Sequence, residues 1–294
     1  MLYVKKHFTV VRLSDALDLH ASGERPALPM LSITFDDGFQ AVRDIAFPVL
    51  QELELPATVF LVTGLTDTDE TVWYCALNQA FSEAKTQSLV WKDRRYDLRS
   101  RAGRAHACRT LQAALKKMPQ PALAREVRDV IASLGHGSGV RVSKMSPFRI
   151  LDSRSIREMQ KSGLIEFGAH THTHSILGLL PEDVQEREIR WSIDRVAALT
   201  GKACTLFSYP NGEQRDFGES TRSLLVKYHI RCSVTMMRGP NYPGTDPFSY
   251  HRYGIENNMS FQRFIMNVHH MVWVKRSISG ARRPVPGREI LHGC

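Results

Sequence analysis

The stretch "LSITFDDGF", residues 31–39, reads as a buried strand that ends in two adjacent aspartates. Neighbouring carboxylates are unfavourable in such a place, because each ionised group loses hydration and repels the other. Successive strand residues point to opposite faces, so Ser32, Thr34 and Asp36 share one side and Ile33, Phe35 and Asp37 the other. Two strictly extended aspartates could not both enter one pocket. Gly38 removes that objection by letting the chain turn sharply directly after Asp37. The pair then stands at a strand's C-terminal end, where β/α barrels place their chemistry. Taken alone, "DDG" is also what an Asp-rich turn looks like.

Outward from this strand, short apolar runs alternate with amphipathic stretches, the signature of βα units on a parallel sheet. "FQAVRDIAFPVLQELEL" (39–55) follows as a helix with Pro48 as an interruption, and "ATVFLV" (57–62) as a strand apolar on both faces. Residues 66–150 are more polar, with helical pieces such as "AREVRDVIASL" and a "GHGSG" break, and are expected to form an insertion on one βα loop. The alternation then resumes. "DSRSIREMQKSG" is a helix, "LIEFGAH" a strand, and "PEDVQEREIRWSIDRVAALTG" a long helix with Pro and acids in its first turn and Gly at its end. "ACTLFSYPNG" is a strand running into a turn, "STRSLLVKYHI" a helix and "RCSVTM" a strand. "FSYHRYGI" is expected as one more strand, entering a final helix around "SFQRFIMNVHHMV". The economical architecture is a parallel β/α barrel spanning residues 1–275, with 276–294 as a flexible basic tail.

At 294 residues the chain can bury a substantial core. Its net charge of +9 is a modest excess, scattered in short clusters such as "WKDRRYDLRSRAGR". No nucleic-acid module accompanies it, so a solvated basic surface is favoured over a nucleic-acid site. The five cysteines are widely spaced without a CxxC pair, which points to neither a disulfide framework nor a thiolate zinc site. Reduced thiols, the lack of a signal-type apolar run near the N-terminus and the lack of a membrane-length apolar segment together lead to the expectation of a soluble, cytoplasmic protein, with peripheral membrane association left open.

A second stretch, "FGAHTHTHSIL" (167–177), alternates histidine with threonine. Strand parity sets Glu166, Gly168 and His170 on one side, with Gly168 leaving space beneath His170. His174 lies four residues later, where a loop can fold it back. Two neutral imidazoles and one carboxylate are a common ligand set for a catalytic zinc, with a position open for water. A polar edge strand is the other reading of "HTHTH". His172 alternates out of the pair and is expected to be structural, or to support the ligands from behind.

"TFDDG" followed by "HTHTH" resembles the polysaccharide deacetylases, the carbohydrate esterases with a NodB homology domain. The likeness in order and spacing runs from about residue 30 to 260 and includes "PATVFL" and "FSYPNGE". It implies a NodB-like distorted β/α barrel and metal-dependent hydrolysis of an N-acetyl group on a sugar, by attack of a water that the metal activates. It also implies Asp37, His170 and His174 as ligands of one divalent metal and Asp36 as general base. Zinc is favoured by ligand type, and cobalt, nickel or manganese also suit the set. Where the family's third motif has arginine and tyrosine, this chain has Ser208 and Asn211. Tyr209 and Asn211 are placed with the substrate and the oxyanion, Asn211 through a backbone N–H that does not depend on its side chain. The missing arginine leaves the orientation of Asp36 unexplained. For the last motif, His251 is the candidate acid by residue type, while Arg252 fits the arginine-containing ending of some relatives equally well. The short lead-in to "TFDDG" suggests an absent early strand or an incomplete start.

The leading expectation is therefore a sugar N-deacetylase acting on an N-acetylated amino sugar, oligosaccharide or polysaccharide. Hydrolysis of a non-sugar amide by the same centre, and a non-catalytic carbohydrate-binding role, are the alternatives. Oligomeric state is not legible.

Overall fold

The computed structural model describes residues 1–24, 26–120, 122–137, 142 and 146–270. The tail expected at 276–294 lies outside the described residues. Strands follow in the order β1 (Thr9–Val10), β2 (Met30–Leu31), β3 (Ile33–Phe35), β4 (Ala57–Leu61), β5 (Ser88–Trp91), β6 (Arg94–Asp97), β7 (Ile165–Ala169), β8 (Leu206–Ser208) and β9 (Cys232–Val234). Five of them form one parallel sheet, β3–β4–β7–β8–β9, so each strand lies beside the next one along the chain once the β5–β6 hairpin is set aside. Helices α1 (Leu2–His7), α2 (Leu13–Ser22), α3 (Phe47–Glu52), α4 (Trp73–Ser82), α5 (Arg101–Leu115), α6 (Ala122–Ile131), α7 (Ser153–Lys161), α8 (Glu182–Thr200), α9 (Glu219–Lys227) and α10 (Phe261–Val268) complete the chain. The result is the distorted parallel (β/α) barrel expected from the sequence.

The two faces of each strand have different jobs. Ala57, Val59 and Leu61 of β4 pack with Ile165, Phe167 and Ala169 of β7 in the largest core cluster, against the outer helices. Register pairs Val59 with Phe167 and Leu61 with Ala169, so these side chains form continuous rows. Burying each such large apolar side chain is worth about 1.5–3 kcal/mol, which makes this wall the stable backing of the site. The inward residues Phe60, Leu206, Cys232 and Val234 pack with Tyr250 and with Leu13 and Leu17 of α2. Below them Glu166 accepts hydrogen bonds from the N–H and hydroxyl of Ser14 and from the Thr58 hydroxyl. That inward carboxylate ties the start of α2 to the barrel's lower end. A Cβ at Gly168 would stand 2.7 Å from the Phe60 ring and 2.8 Å from the Leu206 carbonyl oxygen, so the strand under His170 needs glycine because Phe60 fills the interior there.

Local signals explain the other boundaries. Asp152 caps α7 by accepting from the Ser155 N–H, and Gly201 ends α8 in the left-handed conformation at φ 69°. Pro48 does not break its helix: the preceding turn, Val42–Ala46, is π-helical, a widening that accommodates the missing N–H of proline. A short early strand, β1, is present and pairs with β2.

Two expectations change. The basic stretch around "WKDRRYD" forms the β5–β6 hairpin, with Lys92 and Asp93 both left-handed at φ 47° and 62° in the two-residue loop. Such loops are usually announced by Asn-Gly or Asp-Gly, and here neither is present. "FSYHRYGI" does not form a strand; only Tyr250 bridges to Val234. Beyond it the Arg252 N–H turns to the Met237 carbonyl and the His251 N–H to the Asn241 side chain, which takes the chain off the sheet. Among the described residues, no helix is long and apolar enough to cross a membrane.

Candidate metal centre

Both aspartates reach the barrel mouth, by a tighter turn than Gly38 alone would make. Asp37 is itself left-handed at φ 67°, followed by Gly38 at φ 72°. The Gly38 N–H donates to the Asp36 carbonyl at 2.8 Å, closing a three-residue turn around Asp37 of the rarer, strained kind. A Cβ on Gly38 would lie 2.7 Å from Leu61 Cδ2, so the turn presses against the end of β4. The reversal brings Asp37 to the histidines that Asp36 already faces along the strand.

The ligand atoms of Asp37, His170 and His174 lie within 4.8 Å of one another. Asp37 Oδ1 is 3.6 Å from His170 Nε2 and 3.2 Å from His174 Nε2. Despite these neighbours, Asp37 Oδ1 is buried without a hydrogen-bond partner among the described residues. For His170 the tautomer gives the reason. Its Nδ1 is 2.7 Å from the Ser208 carbonyl oxygen, which can only accept, so the ring proton sits on Nδ1 and the Nε2 lone pair faces Asp37. Burial pushes His170 below the usual imidazole range, which favours that neutral form. Burial pushes Asp37 up, but His174 and the hydrogen bond from the Tyr74 hydroxyl outweigh it and hold the carboxyl below its ordinary value. A lone pair and a carboxylate oxygen facing each other, with a buried oxygen left unsatisfied, are the donor set that a divalent cation completes. The residues fit the group.

Asp36 has entirely different company. Arg252 grips it with both guanidinium arms, Nη1 to Oδ1 at 2.9 Å and Nη2 to Oδ2 at 2.8 Å. The same guanidinium donates to Thr34 Oγ1 and Ser208 Oγ, each at 3.2 Å, and from Nε to the Thr235 carbonyl at 2.8 Å. Burial pushes the Asp36 carboxyl up, yet the Arg252 charge and the bonds from Arg252 and Ser208 prevail and hold it well below the usual carboxylate range. The arginine missing at position 208 is thus supplied from position 252, and the serine there accepts one of its hydrogen bonds.

The remaining sequence candidates fare unevenly. Asn211 is left-handed at φ 64°, with its side-chain amide bound to Asp216 and its oxygen 3.4 Å from Lys116 Nζ. Its backbone N–H makes no hydrogen bond among the described residues. Tyr209 is not a donor to the site: its ring stacks on Phe217 at 4.0 Å, its hydroxyl donates to the Phe248 carbonyl and its N–H to the Val234 carbonyl. Core packing has claimed it. His251 lies with its ring against Gly239, and no hydrogen bond or ion pair joins that ring to the aspartates or histidines among the described residues. Of the two adjacent candidates, Arg252 is the one bonded to a site aspartate. His172 points away from the ligand pair, bonded to the Thr63 hydroxyl at 3.0 Å and edge-on to Trp191.

Two groups that hold the site escape the sequence reading. The Tyr74 hydroxyl donates to Asp37 Oδ2 from α4, inside the 66–150 insertion. Glu188, buried on α8, accepts from the N–H groups of His172 and Thr173 at 2.9 and 2.8 Å and from the Thr173 hydroxyl at 2.8 Å, which fixes the loop carrying the ligands. Arg252 was read only as one side of an even choice. A single acid on the inward stripe of a long helix was the one available hint for Glu188; for Tyr74 the sequence offered none.

A family model described as "Polysaccharide deacetylase" matches residues 24–232. Among solved structures, the chain is similar to a Streptococcus pyogenes deacetylase, PplD, in complex with acetate, at 17% identity and a TM-score of 0.58, over 90% of this chain and 81% of that one. It is similar to IcaB from Ammonifex degensii at 18% identity and a TM-score of 0.55, over 87% and 80% of the two chains. The BpsB deacetylase domain from Bordetella bronchiseptica gives 18% identity and a TM-score of 0.53, over 85% and 80%. At these identities the likeness is one of fold. No curated protein matches the chain.

Proposed function

The chain belongs to the polysaccharide deacetylase family, and on that basis we propose that it hydrolyses the N-acetyl group of an amino sugar within an oligosaccharide or polysaccharide, with one divalent cation held by Asp37, His170 and His174. The observation that carries this reading is the division of labour between two adjacent carboxylates. Asp37 faces two imidazoles with a buried oxygen left unsatisfied, while Asp36 is held by a guanidinium a residue away. One arrangement suits a cation and the other a base.

A cation of this kind, when bound, polarises the amide carbonyl and makes a water acidic enough to attack near neutrality. Zinc suits the two imidazoles and one carboxylate. Asp36 takes the proton of the attacking water. Arg252 fixes both of its oxygens, so little reorganisation is left for the moment of reaction. The same charge makes protonated Asp36 a strong acid, able to pass that proton to the departing amine nitrogen. His251, the other candidate for delivering this proton, has its ring beside Gly239 and no bond to Asp36 among the described residues. The Asn211 N–H is the candidate donor to the developing oxyanion. The 66–150 insertion forms one wall of the mouth, since Tyr74 and Lys116 extend from it to Asp37 and Asn211.

The test is acetate release from mono-, oligo- and polymeric N-acetylated sugars by the purified full-length protein, with metal added back after chelation. Release that depends on the metal is the expected result. A protein that binds metal one to one yet frees no acetate from any of these sugars would overturn the assignment.

A further inference from the structure

We infer that Tyr74, carried to the barrel mouth by the insertion, is a positioning residue of the metal centre: its hydroxyl holds Asp37 Oδ2 and leaves Oδ1 as the single ligand oxygen. The inference rests on the metal-dependent reading above and asks more of it, because it makes the insertion part of the centre.

The carboxylate is used asymmetrically. The Tyr74 hydroxyl donates to Oδ2, whereas Oδ1, the oxygen facing both histidines, is buried and has no hydrogen-bond partner among the described residues. A carboxylate with both oxygens unbonded can chelate a cation through either one or both. Tying up Oδ2 with a phenol favours binding through Oδ1 alone. Three ligand atoms in all then leave positions for a water and for the amide oxygen.

The ring is also placed to steady the imidazoles. It meets His174 edge-on at 5.6 Å between ring centres, and His174 meets His170 in the same manner at 5.0 Å. The hydroxyl is delivered from a rigid element. Tyr74 sits in the first turn of α4, where its carbonyl accepts from Gln112 Nε2 at 2.9 Å, and that amide also reaches Asn78 Oδ1 at 3.1 Å. Its ring packs in a small cluster with Val62, Val72, Cys75 and Phe39, directly beyond the end of β4. The hydrogen bond therefore joins the catalytic turn at 36–38 to a segment built on a different part of the chain, and α4 and α5 have a defined task in the reaction.

The test uses the full-length protein, stripped by a chelator and titrated with Co²⁺ alone, followed by visible absorption; Zn²⁺ affinity is measured in competition with a chromophoric chelator. Tyr74→Phe, which removes only the hydroxyl, should bind one metal about 10- to 100-fold more weakly, as expected when a partner behind a ligand is lost. Its Co²⁺ bands should change as the second aspartate oxygen becomes available, while the metal-free protein melts as wild type does. Unchanged affinity with unchanged bands overturns the inference and leaves the deacetylase reading intact. Wild-type protein that takes up no metal overturns both. Should Tyr74→Phe fail to fold, Tyr74→Gln and Tyr74→Leu make the same comparison of donor against no donor; tighter metal binding by the Gln variant supports the inference, and equal binding overturns it.

Discussion

Two regions meet at the barrel mouth and reach it by different routes. The ends of β3 and β7 bring Asp36, Asp37 and His170 within two residues of paired strand, so the parallel sheet itself sets where these groups stand. Around them stand groups from scattered segments that bond to the site: Tyr74 from α4, Glu188 from α8 and Arg252 from irregular chain beyond β9. The strand ends carry the chemistry. The surrounding groups decide which carboxylate oxygen is available, which proton sits where, and how the ligand loop is held. Changes in the two regions should therefore fail in different ways, and the comparison can be broken by experiment.

The largest effect belongs to the strand ends. His170→Ala and His174→Ala should each abolish stoichiometric metal binding, because two of three ligands cannot hold a cation that the loop and turn were shaped around. Elemental analysis showing wild-type metal content in both variants would remove the assignment. Next in size, Asp36→Asn should keep the metal and the fold while kcat falls by about 10² to 10⁴, the usual contribution of a general base. A variant that binds metal and turns over at the wild-type rate would take Asp36 out of the mechanism.

Legibility follows the same division. The barrel was readable because βα alternation and buried strands are local patterns, and the ligand set because each motif spans only a few residues. What could not be read is what depends on tertiary contact. Arg252 follows Asp36 by more than two hundred positions, and nothing local in "SYHRYGI" shows that this guanidinium grips that carboxylate. Tyr209 shows the converse: its place in "FSYPNG" suggested the site, but a large aromatic at the end of β8 was better used stacked on Phe217. Hairpin β5–β6 was missed because its Lys-Asp loop is neither of the pairs, Asn-Gly or Asp-Gly, that usually announce such a turn.

Arg252 offers a sharper test of the surrounding groups than simple loss of rate. Burial raises the Asp36 carboxyl, and Arg252 is foremost among the groups that bring it down. In Arg252→Met only the burial and the weaker neighbours remain, so Asp36 should take up a proton at higher pH. The sign follows directly: the base is active when ionised, and activity on acidification should fail earlier than in the wild type, by about 1 to 3 pH units. The acidic limb of the kcat/KM profile measures this shift. A limb that stays in place while the rate drops would mean that Arg252 only orients Asp36.

The smallest effect, and the finest distinction, concerns Glu188. Its carboxylate accepts the His172 and Thr173 N–H groups at one oxygen and the Thr173 hydroxyl at the other. These residues lie between the two histidine ligands, in a loop where Thr171 and His174 are both left-handed at φ 60°. Non-glycine residues hold that conformation only when the surroundings enforce it. Glu188→Ala leaves two backbone donors without their acceptor, at a cost of about 1–3 kcal/mol for each that stays buried. Glu188→Gln should be milder. An amide oxygen can still accept both N–H groups, and its NH₂ can donate to Thr173 Oγ1 if that hydroxyl turns its proton to Ser175 Oγ, 2.7 Å away. The Gln variant should thus lose about 1 kcal/mol and little metal affinity, as charged acceptors give way to neutral ones. The Ala variant should lose more of both, with metal affinity down about tenfold. Chemical denaturation of the metal-free proteins and Co²⁺ titration separate the two losses. If Glu188→Ala unfolds earlier but binds metal as tightly as the wild type, Glu188 supports the fold alone, and the ligand loop holds its own shape.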